Sequence, residues 1–130
     1  MSVLTYLLRS KPGDRPLVWL QSEIKTPPIG LGARLEAGYL LRRVQRGELL
    51  GMPQSRPMPA LGARFHELRV RDRRSGWRIF YRVDPDAILI LDVVQKQTRA
   101  TPHEVLDRCR RRAARYDEDS GEQPEREEAR

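Results

Sequence analysis

The feature that most constrains this chain is a pair of apolar runs, 77–83 (WRIFYRV) and 87–95 (AILILDVVQ), joined by the turn Asp84-Pro85-Asp86. Both are rich in β-branched and aromatic residues and bounded by polar turn formers, so they read as an antiparallel hairpin. A third run, 65–70 (FHELRV), precedes them across the polar turn 72–76, which makes a three-stranded meander and not a strand–helix–strand unit. Basic residues stand at the ends of these strands, as a small anion-binding platform would require.

The flanks supply the rest of the fold. Residues 3–8 are a short β-branched and aromatic run closed by Pro12, Gly13 and Asp14, and read as an edge strand. Pro16 at a first helical position, followed by Leu17, Trp19, Leu20 and Ile24, predicts a short helix that stops at Pro27-Pro28. Over 31–46 the apolar residues Ala33, Ala37, Leu40, Leu41 and Val44 recur at helical spacing, predicting a longer helix that ends at Gly47 or Gly51 and completes a helical hairpin. Residues 51–62, with three prolines and two glycines, read as a loop. Thr101-Pro102-His103-Glu104 has the form of a capping box and opens a last helix with the stripe Leu106, Cys109, Ala113 and Tyr116. The expected class is therefore α+β: an N-terminal strand and helical hairpin, an antiparallel sheet of about four strands, and a C-terminal helix.

Charge divides the chain. Residues 117–130 hold seven acids against two arginines, a net of −5, so residues 1–116 carry +12 where the whole chain carries +7. The expected organisation is one domain over 1–116 and an acidic, disordered tail over 117–130. A body so basic repels itself unless it meets an anion, and nucleic acid is the commonest polyanion. Only Lys11, Lys25 and Lys96 are lysine among 25 basic residues, and arginine forks match phosphate oxygens two at a time. The single cysteine, Cys109, excludes a disulfide framework, and no Cys/His cluster suits a metal. No run is long enough for a membrane span, so neither membrane association nor a cofactor is expected, and the expected location is the cytoplasm.

Four segments carry a resemblance: Glu67-Leu68-Arg69; Trp77-Arg78-Ile79-Phe80-Tyr81; the apolar strand that follows; and Lys96-Gln97-Thr98-Arg99-Ala100-Thr101-Pro102 before the last helix. In this order and spacing the chain resembles the RelE/ParE toxin superfamily, and more closely its phage-type HigB branch. There the corresponding segments are an ELR strand, a (Y/W)RxxY strand, an apolar strand and a KKTxKTP segment. The resemblance runs over about 3–116. It implies a RelE-like fold and the toxin of a type II toxin–antitoxin system, an mRNA interferase that cuts mRNA on the ribosome and inhibits translation. It also implies an antitoxin with a helix-turn-helix domain. The sequence departs from the pattern at Gln97 and Ala100, where lysines are expected, and at Asp92, where the branch often has histidine.

RNA can be cut without metal when its own 2′-hydroxyl attacks the adjacent phosphorus; the protein must then stabilise negative charge and move two protons. Arg69, Arg78 and Lys96, at strand positions and strand ends, are the candidate catalytic cations. Arg69 also has a simpler reading as an ion-pair partner of Glu67 on the same strand face, and Lys96 as a solvated lysine. Arg78 interrupts Trp77, Ile79 and Phe80, and a charge so placed calls for a partner or a ligand. His103, at the opening of the last helix, is the candidate proton carrier, with His66 the other histidine; an exposed histidine in a first helical turn is the competing reading. Alternation places Tyr81 in the core, opposite Arg78. Arg64, Arg71, Arg73, Arg74 and Arg99 are candidate RNA-phosphate contacts, and the arginines of the last helix would add salt-sensitive affinity for ribosomal RNA. Two alternatives stand beside the nuclease: a ParE-like toxin that binds DNA gyrase without cleaving, and a weakened RNA- or antitoxin-binding homologue.

Overall fold

The computed structural model describes residues 13–73, 75–97 and 100–121. Its elements are β1 (Leu17–Trp19), α1 (Leu31–Gln45), β2 (Ser55–Pro57), β3 (Phe65–Arg71), β4 (Gly76–Val83), β5 (Ile88–Lys96) and α2 (His103–Gly121). They build an α+β fold in which one five-stranded sheet, ordered β1-β5-β4-β3-β2, separates the two helices. Among the described residues no helix is long and apolar enough to cross a membrane.

The expected meander is present as β3, β4 and β5, each within a residue or so of its predicted bounds. Strands β4 and β5 lie at the centre and are covered on both faces, which is why 88–91 reads as an unbroken apolar run. On one face Ala33, Ala37, Leu40, Leu41 and Val44 of α1 pack on Leu68, Val70, Ile79, Tyr81, Ile88 and Ile90. On the other, Val105, Cys109 and Ala113 of α2 pack on Phe80, Leu89 and Leu91.

An irregularity in the β4–β5 ladder sets the faces. Tyr81 pairs with Ile90 but Phe80 pairs with Asp92, so Leu91 has no partner on β4. Such a bulge allows two successive side chains to share a side. Leu91 and Asp92 both meet α2, whereas strict alternation would send Asp92 toward α1.

The first helix of the expected hairpin is not formed. Its residues include β1, which adds to the sheet in parallel with β5: Leu17 pairs with Ile88 and Trp19 with Ile90. The Pro16 carbonyl accepts from Ile88 N–H at 2.9 Å, and Leu20 N–H donates to Ile90 at 3.0 Å. Pro16 is compatible with either reading, since proline is also tolerated at the start of an edge strand. Pairing with a partner some seventy residues away overrides the local spacing of Leu17, Leu20 and Ile24. The strand expected over 3–8 lies outside the described residues.

Helix α2 runs five residues beyond the expected boundary at Tyr116. Asp117, assigned to the disordered tail on composition, instead binds Arg82 of β4 with both oxygens, at 2.7 and 2.9 Å. Arg82 is nearly buried and also grips Asp84 with two bonds, so it fastens the end of the helix to the hairpin turn. The Arg82 bonds hold the Asp117 carboxyl below its ordinary value, more than its partial burial raises it.

Candidate anion-binding cleft

At the end of the sheet, β2 stops while β3 continues. Arg69 N–H still reaches the Gln54 carbonyl at 2.7 Å, but Val70 and Arg71 have no partner on β2. A cleft of about 710 Å³ opens there, lined by Glu36 of α1, by Pro53 and Gln54, by Arg73 of the β3–β4 turn, and by residues of β3, β4 and β5 that include Arg69, Arg71, Trp77 and Lys96. Arg71, Gly76 and Lys96 form one cross-strand row. Glycine in the middle of that row has no side chain to block its neighbour. A Cβ placed on Gly76 would touch the Lys96 stem at 3.8 and 3.9 Å, so Lys96 leans across the gap toward β3.

The structure thus brings together Arg69 and Lys96 of the three candidate cations, along with Arg71 and Arg73. Arg78 is placed differently. Its side chain is 1 % exposed and does not line the cleft. Nε bonds Glu67, Nη1 donates to the Ala100 carbonyl at 3.3 Å, and Nη2 donates to the Thr101 hydroxyl at 2.7 Å. Arg78 therefore ties the centre of the sheet to the segment that enters α2, and the Thr101 hydroxyl, expected to cap that helix, accepts from Arg78.

Glu67, expected from the sequence as an ion-pair partner of Arg69 alone, is the residue that explains this arrangement. Its side chain is fully buried and receives Arg78 on one oxygen, with Arg56 at 2.5 Å and Arg69 at 3.4 Å on the other. Burial alone would raise the carboxyl, but the bonds from Arg78 and Arg56 hold it below its ordinary value. Arg69 and Arg78 are directly opposed across β3 and β4, where like charges repel, and Glu67 lies beside both. The Arg69–Glu67 pair expected from the ELR spacing on one strand face is present, and Arg78 and Arg56 join it. Arg69 keeps about a third of its side chain exposed and makes the longest of the three contacts, so it both pairs with Glu67 and faces the cleft.

The cleft wall is fixed by Asp72 in the β3–β4 turn. Its carboxylate accepts from Gly30 N–H at 2.8 Å, Arg73 N–H at 2.8 Å and Trp77 Nε1 at 3.1 Å, and the first two bonds chiefly hold it below its ordinary value. Glycine at position 30 leaves room for this contact, because a Cβ there would stand 2.6 Å from Asp72 Oδ1 and the carboxylate would have to shift.

The remaining candidates lie elsewhere. His103 is 82 % exposed on the first turn of α2, with Asp107 3.5 Å from Nδ1. His66 stacks on Tyr81 with ring centroids 5.3 Å apart, and burial lowers its pKa, favouring the neutral ring. Tyr81 is in the core as expected, its hydroxyl 2.7 Å from Ser55. Arg64 pairs with Asp84 and lines a different hollow. Arg74 and Arg99 lie outside the described residues. Asp92 does not face the cleft; it is nearly buried and anchors α2 through Arg108 Nε at 2.8 Å and Arg112 Nη1 at 3.3 Å. Three arginines of α2 are thereby partly occupied within the protein, since Arg110 donates to the Ala60 carbonyl at 3.0 Å.

No curated protein and no solved structure matches the chain. A family model described as phage derived protein Gp49-like (DUF891) matches residues 30–114, which covers α1, β2 to β5 and most of α2, and so includes every described residue of the cleft. The chain belongs to this Gp49-like family, a toxin-like family of the toxin–antitoxin context in which a cognate antitoxin is the implied partner.

Proposed function

We propose that this chain is the toxin of a type II toxin–antitoxin pair and an mRNA interferase of the HigB branch, cutting mRNA on the ribosome by attack of the RNA's own 2′-hydroxyl. The observation that carries the reading is that Arg69 and Lys96, from strands separated by β4, line one cleft with Arg71 and Arg73. Cations held at the ends of β3 and β5 and in the β3–β4 turn suit a phosphate that gains negative charge as the 2′-oxygen bonds to phosphorus and the bond to the 5′-oxygen breaks. Arg69 and Lys96 would contact that phosphate, and the Lys96 ammonium can give a proton to the departing 5′-oxygen. Glu36 is a lining carboxylate able to accept the proton from the 2′-hydroxyl. Arg78 and Glu67 act through others: they hold Arg69 and the entry to α2 in place.

Primer extension on cellular mRNA after brief induction tests this. New 5′ ends at defined codon positions, lost in Lys96→Ala and Arg69→Ala, are expected. A second reading is favoured by the absence of either histidine from the cleft lining and by the burial of Arg78. In it the surface binds without cutting, as in a ParE-like gyrase-binding toxin. Growth arrest with DNA-damage signals and no new 5′ ends would support that alternative.

A further inference from the structure

Trp77 occupies an unusual position for a core aromatic. It packs partly against the α1-side core, yet it lines the cationic cleft and also a second hollow of about 560 Å³ bounded by Pro28, Gly30, Ser75 and Gln95. It is half-buried and contributes to the lining of both. Nε1 is tied to Asp72 at 3.1 Å, and Asp72 is in turn held by two backbone N–H groups, so the ring is fixed and not free to fold inward. Across the strand pair from it, Gln95 Nε2 donates to Ser75 at 2.9 Å, which closes the far wall of the second hollow with polar groups.

A fixed, partly exposed aromatic beside a row of phosphate-binding cations is how proteins hold single-stranded nucleic acid, because every base has a π-face whatever its sequence. We propose that Trp77 is a stacking platform for one unpaired nucleobase, whose neighbouring phosphate is held by Arg69, Arg71 and Lys96 while the base enters the hollow beside Gln95. This rests on the RNA-directed reading above and adds to it the position and character of the base subsite. Duplex RNA, with its bases already stacked, cannot use the platform.

The test uses the full chain carrying Trp19→Phe, which leaves Trp77 as the only tryptophan. The probe is a fluorescein-labelled, single-stranded 2′-O-methyl oligoribonucleotide that cannot be cleaved by 2′-hydroxyl attack, compared with an abasic oligomer of equal charge. Binding is read by anisotropy at low salt, and an unlabelled copy is used for tryptophan emission. The proposal expects emission from Trp77 to be quenched with the same midpoint as binding, and the abasic oligomer to bind without quenching. In the otherwise unmodified chain, Trp77→Leu should weaken oligonucleotide binding about tenfold while Trp77→Phe retains most of it. Equal binding by parent and Trp77→Leu, with no quenching, overturns the stacking platform and leaves the RNA reading intact. Failure of parent and variants alike to bind single strands overturns the stacking platform, while the RNA reading falls only if primer extension shows no new 5′ ends.

Discussion

Replacing Arg78 separates a structural arginine from a catalytic one. The Arg78→Ala variant removes the Nε bond to Glu67 and the two bonds to Ala100 and Thr101, and leaves a carboxylate with no exposure of its own. Breaking a buried ion pair from one side costs about 3–5 kcal/mol, because the surviving charge stays in low dielectric. Here Arg56 at 2.5 Å and Arg69 at 3.4 Å still reach Glu67, so the expected loss is near the lower end, about 3 kcal/mol. For a chain of this size that corresponds to a drop in Tm on the order of 10 °C. Urea unfolding followed by far-UV circular dichroism measures the loss directly. The paired variant Glu67→Leu with Arg78→Met removes both charges at similar volume and should recover stability to within about 1 kcal/mol of the parent, since Arg56 and Arg69 are each a third exposed and can turn to water. If Arg78→Ala unfolds within about 0.5 kcal/mol of the parent yet abolishes RNA cleavage, Arg78 is a substrate contact and its assignment as an anchor is wrong.

Four further outcomes follow. Lys96→Ala, at an exposed position, should leave stability unchanged within about 0.5 kcal/mol by urea unfolding while weakening oligonucleotide binding and flattening its salt dependence; a large loss of stability would contradict its placement. Gly30→Ala should lower stability by about 1–3 kcal/mol, because the new methyl meets an Asp72 oxygen that three donors hold in place, and an unchanged Tm would show that the turn yields freely. The carboxyls of Glu67 and Asp117 are depressed in the folded chain, so the unfolded chain binds the extra protons and stability is lost as pH falls below their ordinary values, 4.5 and 3.8. Asp117→Asn should remove part of that acid sensitivity, and unfolding at pH 3 and pH 7 in parent and variant would reveal a misassignment if the two lost stability equally. Burial, aided by Asp92, pushes the Cys109 thiol up to about 12, so it should resist a disulfide-exchange reagent in the native chain and react at once in denaturant.

The parts of this fold that the sequence discloses are those governed by local pattern. Strands β3 to β5 follow from alternation and turn chemistry, and α1 follows from the spacing of Ala33, Ala37, Leu40, Leu41 and Val44. Strand β1 is not disclosed, because three residues set no period and their only reason to extend is a parallel partner at 88–90. Nor is the side taken by Asp92, which depends on Leu91 lying outside the ladder. Composition misplaces Asp117 for a related reason: an acidic residue looks solvated until its partner, Arg82, is found on a strand 35 positions earlier. Among the candidate residues, Lys96 and Arg69 stand out by their motifs, and both line the cleft. Arg78 was legible as a charge needing a partner, but the partner, Glu67, becomes evident only when β3 and β4 are in register.

The sheet's borders have a consequence for how such a protein can accumulate. A sheet edge is a template on which another chain can add strands, and long flat edges promote aggregation. Among the described residues both outermost strands are three residues long, β1 beginning directly after Pro16 and β2 ending at Pro57, so each of them by itself is a short template for a second molecule. Among the described residues, the longer β3 extends past this cover only at Val70 and Arg71, beside the cationic cleft. Arginine there sets like charge against like whenever two copies approach, so this exposed end of β3 repels its own kind and remains open to an anion.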